Sequence, residues 1–192
     1  ELYKAGNIKD ALKYALKASD EAEGLVEPKI HLAKLQIKRG YLQDAINVLE
    51  KLYSDISIPR KVKEIVLYEL IDAYIAASKF KKVNNLLIAA RINYTENIHK
   101  YYKAQSKYYI AKKEYVFAIN KLQRAINSNP IDDSNFYELA KLYIKFHKYQ
   151  KSKNVLKRAM DLDPSNVNFR ITFAQIVYEM ENSDAAISYL YN

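Results

Sequence analysis

The sequence predicts an all-α solenoid of stacked helix-turn-helix hairpins, about ten or eleven helices in all. Three observations carry this prediction. First, a pattern between residues 99 and 166 recurs at an offset of 34: Tyr109 returns as Tyr143, Tyr115 as Tyr149, Leu122 as Leu156, Ala125 as Ala159 and Pro130 as Pro164. Second, apolar residues recur at three- and four-residue spacing, as in Leu139, Ala140, Leu142, Tyr143 and Phe146, and the two-residue alternation of strands is missing. Third, the 192 residues include only three glycines and four prolines, too few to turn a many-stranded chain.

The same frame orders the whole chain. Residues 1–25 read as the end of one first helix (A) and a whole second helix (B), with Gly6 at the turn and Ala11, Ala15 and Ala18 on one face. Residues 26–59 form a full unit, with Leu32 and Ala33 in A, Gly40 at the turn, and Ala45 and Leu49 in B. The joint after it, YSDISIPRKVK, overruns the period by four residues, so the next unit starts at Glu64. The extra residues are expected to lengthen a helix or a loop. Unit 64–97 diverges most: Ile71 and Val83 stand where other units place Ala or Ser. Larger groups at such close-approach positions should part or rotate the helices slightly. Units 99–132 and 133–166 are regular, and 167–192 hold a last A helix and most of a B helix, with Ala174, Ala186 and Leu190 in frame. All of this reads as one solenoid over 1–192. Because the chain opens and closes inside a unit, it is expected to be a piece of a longer protein.

The punctuation has a mechanical reading. A proline disfavours helix at the residue before it, so Pro130 and Pro164 end their B helices at Asn129 and Asp163. Asp132, Asp133 and Ser134, and then Ser165 and Asn166, are expected to cap the A helices that follow. Tyr74, Tyr109 and Tyr143 share one frame position in helix A, and Tyr115 and Tyr149 open helix B; all five are expected to pack between helices.

Chemistry finds little support. Without cysteine there is no disulfide, thiolate metal site or Cys nucleophile. His31, His99 and His147 fall at three different frame positions, and no HExxH motif or other metal-ligand pair is present. Glycine stands only at 6, 24 and 40, so no glycine-rich phosphate loop exists. The Asp132–Asp133 and Asp161/Asp163 pairs read as caps and joint residues. No catalytic residue, cofactor or metal is predicted. No apolar run reaches the length of a membrane span.

The formal net charge is +9, and residues 99–166 carry 14 Lys or Arg against 6 Asp or Glu. Such a surface is either a solvated lysine coat or an attractor of acidic peptide, nucleic acid or anionic lipid. Only two of those cations, Arg124 and Arg158, are arginines, which disfavours phosphate recognition.

These features together resemble the tetratricopeptide repeat (TPR) family over essentially the whole chain. Unit 133–166 matches the family pattern with Phe136, Leu139, Ala140, Tyr143, Leu156, Ala159 and Pro164, with Ser152 in place of the first B-helix Ala. Unit 99–132 matches with Tyr102, Ser106, Tyr109, Ala118, Leu122, Ala125 and Pro130, although Gln105 replaces Leu. At the A–B turn Ser78, Lys113, His147 and Glu181 replace Gly. The resemblance implies a right-handed superhelix whose A helices line a concave groove. On that basis the groove residues are Lys34, Lys38, Tyr68, Asp72, Lys103, Lys107, Tyr137, Lys141, Lys145, Gln175 and Tyr178.

Lys103 and Lys107, like Lys141 and Lys145, lie one helical turn apart on one face. Their mutual repulsion would be relieved by an acidic partner. The chaperone-tail clamp found in some family members is not expected, because Lys107, Glu138, Asn168 and Thr172 replace its residues. The function implied is a non-catalytic scaffold binding a protein or peptide partner, with an acidic one favoured. The rival readings are nucleic-acid binding through the Lys-rich central repeats and the substrate arm of an enzyme whose catalytic domain lies elsewhere. Self-association through unfinished end units is a further expectation.

Overall fold

The computed structural model describes residues 25–180 together with Lys17. Among them every regular element is helical. In order these are α1 (Val26–Arg39), α2 (Leu42–Ser54), α3 (Arg60–Ala76), α4 (Phe80–Asn93), a 3-10 turn (Thr95–Asn97), α5 (Ile98–Ala111), α6 (Tyr115–Ser128), α7 (Asp133–Lys145), α8 (Tyr149–Leu162) and α9 (Val167–Met180). Odd-numbered helices are the A helices of the repeat and even-numbered ones the B helices. The expectations placed on Gly6, Ala11, Ala15, Ala18, Glu181, Ala186 and Leu190 lie outside the described residues.

The chain divides into two compact units, 1–96 and 97–192. In the first, α1 packs on α2 and α3, α2 on α3, and α3 on α4. In the second, α5 packs on α6, α6 on α7, α7 on α8, and α8 on α9. Each helix therefore buries its apolar stripe against near neighbours in the chain, as stacked repeats must.

The small frame positions are where this stacking is tightest. Ala33, Ala45, Ala118 and Ala140 have no exposed surface, and large side chains are fully buried in the same units: Ile46, Leu49, Leu67 and Leu70 in the first, Leu122, Phe136, Leu156 and Phe169 in the second. Ile71 and Val83, the bulkier substitutes, are also wholly enclosed. Ser152 fits an Ala position because its hydroxyl donates to the Ala140 carbonyl at 3.0 Å, so its buried oxygen is satisfied.

The four surplus residues lengthen a helix. Helix α3 starts at Arg60 rather than Glu64 and runs for 17 residues, against 14 for α1 and 13 for α7. Pro59 sits just before it, where a missing N–H costs nothing.

Both Pro-closed ends behave as expected. α6 ends at Ser128 and α8 at Leu162. The side chain of the residue before each proline then turns the backbone: Asn129 Oδ1 accepts from the Ile131 N–H at 3.2 Å, and Asp163 Oδ1 from the Ser165 N–H at 3.1 Å. Asn166 caps α9 by accepting from the Asn168 N–H at 3.2 Å. The expected cap of α7 differs. Asp132 holds the N-cap position, but its carboxylate takes the Ser134 hydroxyl and the Lys103 ammonium.

The A–B turns repeat one backbone conformation. Gly40, Ser78, Lys113 and His147 all have positive φ, at 83°, 55°, 62° and 53°. The left-handed residue is the device that ends a helix and reverses the chain. Only Gly adopts it without strain; an L side chain there costs about 1 kcal/mol. A methyl at Gly40 would meet no atom within 4 Å. Gly40→Ala should therefore lower stability by about 1 kcal/mol through conformation alone, and Lys113→Gly should raise it by several tenths, about 0.5 kcal/mol. Urea unfolding followed by circular dichroism measures both.

Candidate functional site

At the shared A-helix position Tyr74 and Tyr143 fasten their helices to the B helix before. Tyr74 is buried on α3, and its hydroxyl donates to Glu50 on α2. Lys82 on α4 donates to the same carboxylate at 2.9 Å and lies 5.0 Å from the Tyr74 ring centroid. The Tyr74 hydroxyl and then Lys82 hold the Glu50 carboxyl below its ordinary range. In the second unit the Tyr143 hydroxyl accepts from Gln123 on α6 at 3.1 Å. Tyr115 packs edge-on against Phe146, and Tyr149 against His147. Tyr109 stacks on Phe117 with ring centroids 5.3 Å apart. These five rings are structural.

In the first unit, the structure brings three of the predicted groove residues together. Lys34 and Lys38 on α1 and Asp72 on α3 line one cleft of about 400 Å³, with His31, Leu35 and Ile37 from α1 and Glu69 from α3. Lys34 is ion-paired to Glu69 at 3.0 Å across it. Tyr68 is half-buried and does not line this cleft. His31, Leu35, Ile37 and Glu69 were absent from the sequence-derived set. His31, Leu35 and Lys38 are four and three apart on one helical face, so extending the spacing from Lys34 and Lys38 would have found them.

In the second unit the candidates divide by what holds them. Lys103 is half-buried and donates to Asp132 at 2.9 Å and to Ser134 at 2.6 Å, across from α5 to the start of α7. Lys145 donates to the Tyr115 hydroxyl at 2.7 Å and lies 4.2 Å from that ring's centroid. Lys141 sits 5.1 Å from the Tyr137 ring centroid and 3.8 Å from Glu138. The picture of four mutually repelling lysines is thus corrected: Lys103, Lys141 and Lys145 have acceptors or rings within the fold, and Lys107 is not free either. Lys107, Lys141, Gln175 and Tyr178 are exposed, and Tyr137 is half-buried.

Among the described residues no cluster of three His, Asp or Glu could hold a metal ion. Nor, among them, is any helix long and apolar enough to cross a membrane.

A family model described as ChAPs (Chs5p-Arf1p-binding proteins) matches residues 1–159. Solved structures add the fold. MamA residues 41 to the end from Desulfovibrio magneticus RS-1 is 14% identical with a TM-score of 0.59, covering 86% of this chain and 90% of that one. MamA MSR-1 is 18% identical with a TM-score of 0.56, covering 81% and 87%. YrrB, described as a TPR protein with an unusual peptide-binding site, is 17% identical with a TM-score of 0.53, covering 92% and 89%. At such identities these likenesses establish a TPR-like repeat fold and nothing finer. No curated protein matches the sequence significantly. Family and fold together support a protein-interaction scaffold.

The Lys103–Asp132 pair has a pH signature. Burial by itself would raise the Asp132 carboxyl, but the Ser134 hydroxyl and the Lys103 ammonium outweigh it and hold that carboxyl below its ordinary value. A depressed carboxyl contributes stability above its unfolded pKa, about 3.9, and that contribution disappears as pH falls through the lower folded value. Asp132→Asn should therefore lower the melting temperature at neutral pH and leave it nearly unchanged at the acid end. Thermal melts across pH 2 to 7 check this, and Lys103→Ala should flatten the same profile.

Proposed function

This chain belongs to the ChAPs (Chs5p-Arf1p-binding proteins) family, and from that premise we propose that it is a non-catalytic scaffold holding peptide segments of protein partners on its A-helix faces. The family description names protein partners, so protein is the ligand class that fits. The observation that carries the reading is the α1–α3 cleft. It has an apolar lining in Leu35 and Ile37, and Lys38 is exposed at its edge. Apolar lining with a few placed charges is the usual make-up of a recognition site.

The occupant proposed is an extended or helical segment with one apolar anchor and a neighbouring Asp or Glu. The anchor enters the cleft, and the carboxylate meets Lys38. In the second unit Lys141, Tyr137 and Tyr178 offer a cation and two aromatic rings on α7 and α9. One solenoid over 1–192 remains the proposed organisation, and the acidic preference of the partner is part of the same proposal.

The test uses surface charges only. Lys103 is left intact, because reversing it would set a carboxylate against Asp132. Lys38→Glu with Lys141→Glu should lower capture of the cognate partner by about tenfold or more without moving the melting temperature. Pull-down and calorimetric titration measure this. Unchanged capture by the double variant would remove the A-helix face as the binding surface.

A further inference from the structure

The B helices of the second unit, which the A-helix reading leaves unused, share a repeated outward pattern. The exposed positions of α6 and α8 correspond at the 34-residue offset: Asn120 with Asn154, Gln123 with Lys157, Arg124 with Arg158. Helix α6 has no acidic residue, and α8 has only Asp161, against six Lys or Arg on the two together. The B helices of this unit therefore carry a clear positive excess, as does α5 with Lys100, Lys103 and Lys107, whereas α7 balances Asp133 and Glu138 against Lys141 and Lys145.

The two arginines are held in a particular way. Arg124 lies 5.8 Å from the Tyr102 ring centroid, and Arg158 lies 5.7 Å from that of Phe136, the residue 34 further on. Among the described residues neither guanidinium is paired with a carboxylate. A cation resting on a ring is oriented but keeps its N–H edges for an incoming acceptor. Arg158 also borders a cleft of about 240 Å³ between α6 and α8, with Gln123 and Asn127 on the facing side and Ile126, Phe136 and Leu139 beneath. Gln123 is fixed there by its bond to the Tyr143 hydroxyl.

We infer that the α6–α8 face binds an acidic segment of a protein partner, with one Asp or Glu forked by Arg158 and an adjacent apolar side chain seated in the cleft. Charge complementarity selects an anion, and the apolar floor selects a peptide over a nucleic acid. The Tyr102 and Phe136 rings are covered by cations and offer no free face for base stacking, which single-strand binding depends on.

The test uses the full chain and a short fluorescein-labelled Asp/Glu-rich peptide with one central Leu, read by anisotropy at physiological salt. Three comparisons are expected to support the inference. The same peptide with Gln and Asn for its acids should bind about tenfold weaker or worse. Arg158→Glu should weaken binding of the acidic peptide by a similar factor. In a Lys38→Glu, Lys141→Glu background, which disables the A-helix surface, the acidic peptide should still bind and Arg158→Glu should still weaken it, so that failure here is separable from failure of the A-helix reading. If the Glu variant melts early, Arg158→Gln, which keeps an aliphatic stem over Phe136, serves in its place and should weaken binding severalfold. Equal binding of the neutral peptide, or wild-type affinity in both Arg158 variants, would overturn the inference. So would displacement of the peptide by a single-stranded oligonucleotide at equal or lower concentration.

Discussion

Close approach of helices at small side chains is the constraint from which the remaining structure follows. Ala33, Ala45, Ala118 and Ala140 are wholly enclosed. A larger residue forced into such a site costs about 1–3 kcal/mol through displaced rotamers and backbone. Where the space was built for it, as at Ile71 and Val83, bulk is accommodated with no exposed surface. A single hairpin cannot bury its own stripe, so each one borrows a surface from the next. Phe136, Phe169 and Phe173 illustrate the gain: all are nearly inaccessible, and each buried ring contributes about 1.5–3 kcal/mol.

The turns make that borrowing periodic. A left-handed residue closes α1, α3, α5 and α7, and at three of these four turns the chain accepts the strain of a side chain there. The strain is tolerated because the turn is flanked on both sides by buried helix. Polar groups then lock the register. Glu50, Tyr74 and Lys82 tie three successive helices, and Lys103 reaches from α5 to Asp132 at the start of α7.

This locking also decides which charges remain for recognition. On the A helices several lysines are engaged by the fold's own carboxylates and rings: Lys34 by Glu69, Lys103 by Asp132, Lys145 by Tyr115. On α6 and α8 the arginines rest on aromatic rings instead. A paired ammonium and a ring-supported guanidinium carry equal formal charge but present different chemistry to a partner. Net charge alone therefore does not say which cations the fold leaves facing outward.

The 34-residue period, the helix ends at Pro130 and Pro164 and the turn positions at Gly40, Ser78, Lys113 and His147 were all legible in the sequence. Each depends on local backbone preference or helical spacing, which neighbouring residues set. The buried tyrosines were legible for the same reason. The insertion before α3 was visible only as a surplus; whether it became loop or helix rested on packing against α2 and α4. The pairing of Lys103 with Asp132, the cleft shared by α1 and α3, and Arg158 over Phe136 could not be read from spacing. These contacts join residues tens of positions apart, and side-chain reach across an interface depends on where stacking places each helix. Local order was thus written in the chain, and the division of its charges between internal pairing and outward display was decided by tertiary packing.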